Sequence, residues 1–516
     1  MWQVEIPEGA EPLGYKKLIE VFHLKTIPHF CFSYASLKWE KREIYWKDYS
    51  LTIYIYPSSC RLSENIFEHL EFALKHEGLN LYILKKVLLE INPTEITTYI
   101  QSRPTGKYAR MLWYLYEEFN ETKLLIPPLN KGSYVSLLDS NRYYCGSPRR
   151  SSRHRIINNL LGDVKFAPMV RKSVVLQEYE KKQINKKACE VVQQYDLEVL
   201  SRAMRYLYTK ETMSSWEIER EKPDQAKLMK FVRLLSKADA IGTLSEARLI
   251  ELQKNIIDSR FCLNAYRDFQ NYVGEEPLPG QLIVHYIAPR PEDVRELMRH
   301  LIEVFDLSEK SGLNPVIAAA ILSFIFVYIH PFEDGNGRIH RFLIHYALTR
   351  MKFTPEDVVF PVSSVIARDI RSYDKILESF SKPLMELITE YSVNDLGEMK
   401  VHQDTSDFYR YIDITAIAEY LYDCVDKTIT IDFQRELIFL TEYDTIKRLC
   451  KEVVDMSDQR MDLFIRCVNQ NQGVLSSRKR ESSFGMLSDE EIHKMEDIIK
   501  NHSSLKDLIN KSNPSF

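Results

Sequence analysis

A chain of 516 residues, 45% hydrophobic and 28% charged, is too long for one core, so two to four domains of ordinary globular type are expected. Its formal net charge of −4 excludes an overall pull toward nucleic acid or anionic membranes and leaves only local basic patches, of which PRRSSRHR at 148–155 is the clearest. Eight scattered cysteines without a C-x-x-C pattern fit reduced thiols better than a disulfide framework or a zinc site.

The first residues, MWQVEIPEGAEP, carry two Glu and no apolar run, so no signal peptide is expected there. The longest uncharged apolar run, Pro315–Ile329, is shorter than the ~20 residues that span a bilayer. A cytoplasmic location without membrane contact is expected. Residues 1–160 read as a mixed α/β region. There YWKDYSLTIYIYP has strand composition closed by Pro57, and ENIFEHLEFALKHEGLNLYILKKVLLEI reads as two helices broken at Gly78. PTGKYARMLWYLYEEF reads as a further helix.

Residues 165–385 are dominated by helical spacing, beginning with KKACEVVQQYDLEVLSRAMRYLYTKETMSSWEIERE, which sustains it up to Pro223. Between the clusters GEEPLPG and APRP, QLIVHYI reads as a short strand or hairpin arm. The polar segment 391–407 reads as a linker, and 400–505 as a helical or winged-helix-like module with a basic SSRKRE. The terminal NKSNPSF is expected to fray.

The chemistry concentrates in HPFEDGNGRIHR, from His330 to Arg341. Asn314-Pro315 starts a helix that is apolar on every face and must be buried; it delivers His330 at its end. A second helix follows EDGNG, so this turn leads into a helix N-terminus, where free N–H groups and the dipole favour an anion. Gly335 and Gly337 permit left-handed angles and close approach of a phosphate. Arg338 and Arg341, three apart, oppose the dipole unless they bind phosphates. Asp334 offers a hard oxygen for Mg²⁺, and His330 a base of near-neutral pKa. Each residue alone is read more simply as a cap, turn or core residue; together they are not. His340 and His345 read as packing or surface residues.

The stretch resembles the signature of Fic (filamentation induced by cAMP) domain proteins, HPFx[D/E]GNGRxxR, at every specified position. The resemblance extends over roughly 165–385. It implies a mainly α fold: a helical core with a β-hairpin flap, here preceded by the α/β region and followed by the winged-helix-like module. It also implies transfer of AMP from ATP to a Ser, Thr or Tyr hydroxyl of a target protein, with Mg²⁺ as cofactor. His330 would be the base and Asp334 the metal ligand. Gly335, Asn336 and Gly337 would line the anion hole, with Arg338 on the β-phosphate side and Arg341 at the γ-phosphate. GQLIVHYIAPRP lies where such proteins carry the flap. SSWEIERE resembles the inhibitory pattern [S/T]xxxE[G/N], as Ser215 to Glu219, with Arg220 departing from Gly or Asn. The N-terminal region is similar to one that accompanies a bacterial subset of these proteins. The C-terminal module is similar to an appendage that serves docking, dimerisation or nucleic-acid contact. Alternatives are de-AMPylation, transfer of another phosphate-containing group, and a nucleotide-sensing DNA-binding regulator. The kinase relatives, which carry Lys at the position of Gly337, fit less well.

Overall fold

The computed structural model describes residues 6, 9–37, 42–46, 51–238, 242–278, 281–355 and 358–502. The terminal NKSNPSF lies outside them. The described residues are mainly helical and fall into two compact units. The first comprises Met1–Lys182, Ser215–Phe353 and Ile366–Asp423; the second comprises Gln183–Ser214, Thr354–Val365 and Cys424–Phe516.

In the first unit, Cys31–Ser36 pairs parallel with Leu51–Pro57, with Glu11–Leu13 and Arg42–Trp46 antiparallel on the two outer edges. Alternation in Leu51–Pro57 buries Leu51, Ile53 and Ile55. Gly78 breaks the helical stretch at φ 92°, before Asn80 caps the helix Leu81–Glu90. Lys107–Asn120 is a helix with Trp113 fully buried.

The same unit holds the helices that carry the motif. Asn314 accepts a hydrogen bond from the Val316 N–H and Pro315 takes the first turn of Pro315–Ile329, where all residues but Pro315 and Val327 are buried. This buried helix packs between Pro291–Ser311 and Asn336–Arg350. His340 donates through Nδ1 to the Ser323 carbonyl from inside the core, and His345 is likewise buried, so both are packing residues.

Strands Tyr272–Leu278 and Gln281–Ile287 form an antiparallel hairpin. The first arm runs through the GEEPL stretch that composition alone assigns to a turn; register shifts at Val273/Gly274 and Glu275/Leu278 let Pro277 sit there. The segment 391–407, read as a linker, contains a second hairpin, Tyr391–Val393 against Met399–Val401. Its strands are too short to show a period.

The second unit is held by a core of Ile446, Cys450, Met461, Phe464, Ile465, Val468, Met495 and Ile499. No strand occurs between 414 and 502 among the described residues, which corrects the winged-helix expectation: this region is helical only. The segment after the Asn-Gln-Gly turn lacks the alternation of a wing, and Ser476 caps a helix, Ser477–Ser483, that carries the basic SSRKRE residues. No described helix is long and apolar enough to cross a membrane.

Candidate active site

His330 ends the buried helix in the left-handed conformation, φ 53° and ψ 58°. Its Nδ1 lies 3.0 Å from the Val327 carbonyl oxygen. A carbonyl only accepts, so Nδ1 carries the proton and Nε2 keeps its lone pair. Burial pushes the imidazole down to about 4, against the smaller upward effects of the Val327 bond, Glu219 and Asp334, with Arg267 adding to the depression. The ring is therefore neutral at physiological pH.

The turn that follows is closed by Asn336, whose Oδ1 accepts from the Phe332 N–H at 3.1 Å while its Nδ2 donates to the Phe332 carbonyl at 2.8 Å. Gly335, at φ 86°, is the N-cap of Asn336–Arg350. Gly337 is not left-handed; it leaves the room that the Glu219 carboxylate occupies, since a Cβ there would overlap Glu219 Oε1 and stand 3.3 Å from Arg341 Nη1. The helix starts at Asn336, so Arg338 lies in its first turn and Arg341 in its second.

Both arginines are buried, Arg338 at 4% and Arg341 at 1% exposure. Arg341 donates through Nε to Ser215 Oγ at 2.8 Å, and through Nη2 to the Ser215 carbonyl at 2.6 Å and Glu219 Oε1 at 2.7 Å. Arg338 donates to Asp334 Oδ1 at 2.9 Å and to Glu221 Oε2 at 3.1 Å, with its guanidinium 5.6 Å over the Trp216 ring. Arg338 Nε and Arg341 Nη1 have no hydrogen-bond partner among the described residues. Two buried cations with open donors beside a helix N-terminus form a site suited to an anion.

The partners of these arginines come from one helix end. Leu197–Ile218 terminates with Glu221 N–H on the Trp216 carbonyl at 3.0 Å and Arg220 N–H on the Glu217 carbonyl at 2.9 Å. That is the double bond pattern of a Schellman stop. Arg220 takes the left-handed position at φ 57°, where Gly or Asn is easier. Glu219 and Glu221 flank it. The resemblance to the inhibitory pattern anticipates Ser215 and Glu219; it does not anticipate Glu221, whose reach to Arg338 depends on the reversal at Arg220.

Asp334 accepts from the Gly335 N–H and from Arg338 through one oxygen; the other makes no hydrogen bond among the described residues, and the side chain is 49% exposed. No cluster of three or more metal-ligating side chains occurs among them. The open Asp334 oxygen is a hard donor of the kind Mg²⁺ takes beside waters and phosphate oxygens. Three further residues brace the turn. Buried Gln253 donates to the Asp334 carbonyl at 3.2 Å, Asn271 to the Phe332 carbonyl at 3.0 Å, and Arg267 to the His330 carbonyl at 2.8 Å.

Residues 243–348 match the Fic/DOC family. Over 129 residues the chain is 30% identical to the protein adenylyltransferase Fic of Nematostella vectensis, covering 25% of this chain and 27% of that one. Over 76 residues it is 37% identical to the enzyme of the same name from Drosophila virilis, 15% of each chain. The chain thus spans about a quarter or less of these relatives. Among solved structures, a Fic domain containing signaling protein from Bacteroides thetaiotaomicron aligns at 21% identity and a TM-score of 0.37, over 50% of this chain and 96% of that one. The motif and the family match place a Fic domain within residues 243–348 of this chain.

Proposed function

We propose that the protein transfers AMP from ATP to a hydroxyl side chain of a target protein, and that Glu219 restrains it in cis. The observation that carries the reading is the pair of buried arginines with open donors, beside a neutral His330 whose Nε2 is unprotonated. In this reading Nε2 takes the proton of the target hydroxyl. The hydroxyl oxygen attacks the α-phosphorus, the bond to the β-phosphate breaks, and pyrophosphate leaves. Gly335, Asn336 and Gly337 frame the anion hole; Arg338 and Arg341 bind the β- and γ-phosphates. Asp334 would hold Mg²⁺ through its open oxygen, and the ion would supply charge neutralisation for the leaving phosphates. The 272–287 hairpin presents an exposed arm for strand addition by the target segment.

Glu219 fills the space over Gly337 and pairs with Arg341, so it competes with the γ-phosphate for position and charge. Glu221 does the same for Arg338 from the same turn. Glu219→Gly, incubated with Mg²⁺ and [α-³²P]ATP, is expected to label itself strongly, with an AMP adduct by mass spectrometry. Glu219→Gln, which keeps size and loses charge, is expected to show partial release. If neither variant labels better than wild type at saturating nucleotide, the inhibitory assignment is wrong; absence of any adduct in every form removes the transferase reading.

A further inference from the structure

Arg267 is 2% exposed, and none of its bonds goes to a carboxylate. Its Nε donates to the His330 carbonyl at 2.8 Å and its Nη1 to the Phe269 carbonyl at 2.7 Å. Its Nη2 donates to the carbonyls of Pro289 at 2.7 Å and Ile329 at 3.3 Å. Its own N–H donates to the Pro331 carbonyl at 2.9 Å. Burial lowers the guanidinium to about 10, which still leaves it charged at neutral pH.

The reason for such an expensive arrangement lies in the end of the buried helix. Its last three carbonyls lie beyond the helical ladder and need partners from elsewhere. The Phe326 carbonyl receives the His330 N–H and the Val327 carbonyl receives His330 Nδ1. The Tyr328 carbonyl receives the Tyr286 hydroxyl, and the Ile329 carbonyl receives Arg267. Arg267 also places a full positive charge at the negative end of that helix dipole. The remaining two carbonyls it holds, Phe269 and Pro289, bracket the 272–287 hairpin. One side chain therefore ties the turn at His330 to the root of the hairpin.

We propose that Arg267 is a positioning residue for group transfer: its planar fork holds the left-handed turn at His330 and the hairpin root in one register, so that base and target segment meet. The inference rests on the reading of His330 as the base. Lysine cannot replace the fork, because its three donors radiate from one nitrogen whereas the guanidinium reaches four carbonyls in a plane. The charged groups acting on His330 are Arg267, Glu219 and Asp334, so a variant that keeps the charge isolates geometry from electrostatics.

Arg267→Lys is that variant, made in the full chain with and without Glu219→Gly. Histidine ¹⁵N spectra, with the His330 signal assigned by its loss in His330→Ala, should show Nδ1 protonated and Nε2 free in the parent. In Arg267→Lys the signal should move to a mixture of tautomers. In the Glu219→Gly background, kcat for labelling should fall about a hundredfold, as expected for a displaced base. The ATP dissociation constant should hold within about twofold, because the phosphate cradle is separate. An unchanged tautomer with kcat within about threefold of the parent would overturn the proposal. So would a parallel loss of ATP binding, which marks a general scaffold role. If Glu219→Gly itself transfers nothing, the reading of the reaction fails instead, and the tautomer spectrum still decides the role of Arg267. Arg267→Met, which removes the charge as well, should leave the same tautomer mixture; a parent-like spectrum there would overturn the proposal too.

Discussion

Arg149, Arg150, Arg153 and Arg155 crowd one stretch of the sequence as Arg338 and Arg341 crowd another, yet the structure uses the two groups differently. Arg149 donates to the Gly162 carbonyl. Arg150 and Arg155 lie over the Tyr134 ring, at 5.3 and 5.2 Å, and Arg155 also donates to the Leu129 and Asn130 carbonyls. Arg153 grips Glu117 and the Leu124 carbonyl and covers Trp113. These partners are main chain, aromatic faces and one buried acid, all fixed parts of the same region. The motif arginines instead face carboxylates offered by a helix end, Glu219 at 35% and Glu221 at 52% side-chain exposure, and keep open donors. Density of positive charge does not mark a binding site; replaceable partners do.

The largest effect that tests this contrast is at the base. His330→Ala in the Glu219→Gly background should lower labelling by about 10²–10⁴-fold while ATP binding persists. Near-parental labelling would show that the anion site works without His330. In the other cluster, Arg153→Ala should leave labelling per folded molecule unchanged. It should cost about 3 kcal/mol of stability by leaving buried Glu117 short of its main cation. A thermal melt reads this directly, and an unshifted midpoint would place Arg153 among ordinary surface residues.

Arg341→Ala, again without Glu219, should narrow the preference for ATP over ADP, since only ATP carries the phosphate assigned to it. A charge-assisted bond of about 2 kcal/mol corresponds to a ratio falling roughly thirtyfold by calorimetry. An unchanged ratio would reassign Arg341. The pH profile sharpens the same comparison. His330 is lowered to about 4, so its basic form is complete well below neutrality. The acid limb of labelling should therefore lie near pH 4 rather than 6.5. Removing Glu219, which raises the value, should move the limb slightly lower still. A limb near 6.5 would mean that the ring is solvated and unheld.

What could be read from the sequence follows the same division. The motif was legible because its chemistry sits in consecutive residues, and Ser215 with Glu219 through the resemblance to the inhibitory pattern, whose two residues stand four apart and share a helix face. Arg267, Gln253 and Asn271 were not, because they bind main-chain carbonyls, which every residue offers and no pattern records. The two glycines looked equivalent, yet Gly335 supplies a backbone angle and Gly337 supplies room. The hairpin at 391–401 escaped because three-residue strands show no alternation. The long helical stretch before Pro223 is in fact two helices, Ile184–Gln193 and Leu197–Ile218, divided where Asp196 bonds the N–H groups of Glu198 and Val199.

The smallest expected effect is at Arg220, and it bears on how firmly the replaceable partners are held. The stop that aims Glu219 at Arg341 and Glu221 at Arg338 requires a left-handed residue between them, and Arg220 fills it at φ 57°. A side chain with a Cβ pays about 1 kcal/mol there, whereas glycine takes that angle as readily as any other. The strain weighs on the clamped turn and is relieved when the turn opens, so it tilts the resting protein toward release. Arg220→Gly should remove the tilt and lower basal labelling about fivefold, with the Glu219→Gly level unaffected because no clamp remains there to tighten. Glycine also gains freedom in the opened turn, which subtracts a few tenths of a kcal/mol from the effect without reversing it. Equal basal labelling by wild type and Arg220→Gly would show that the turn stays closed for reasons other than its backbone, and that Arg220 adds nothing to the poise of the site.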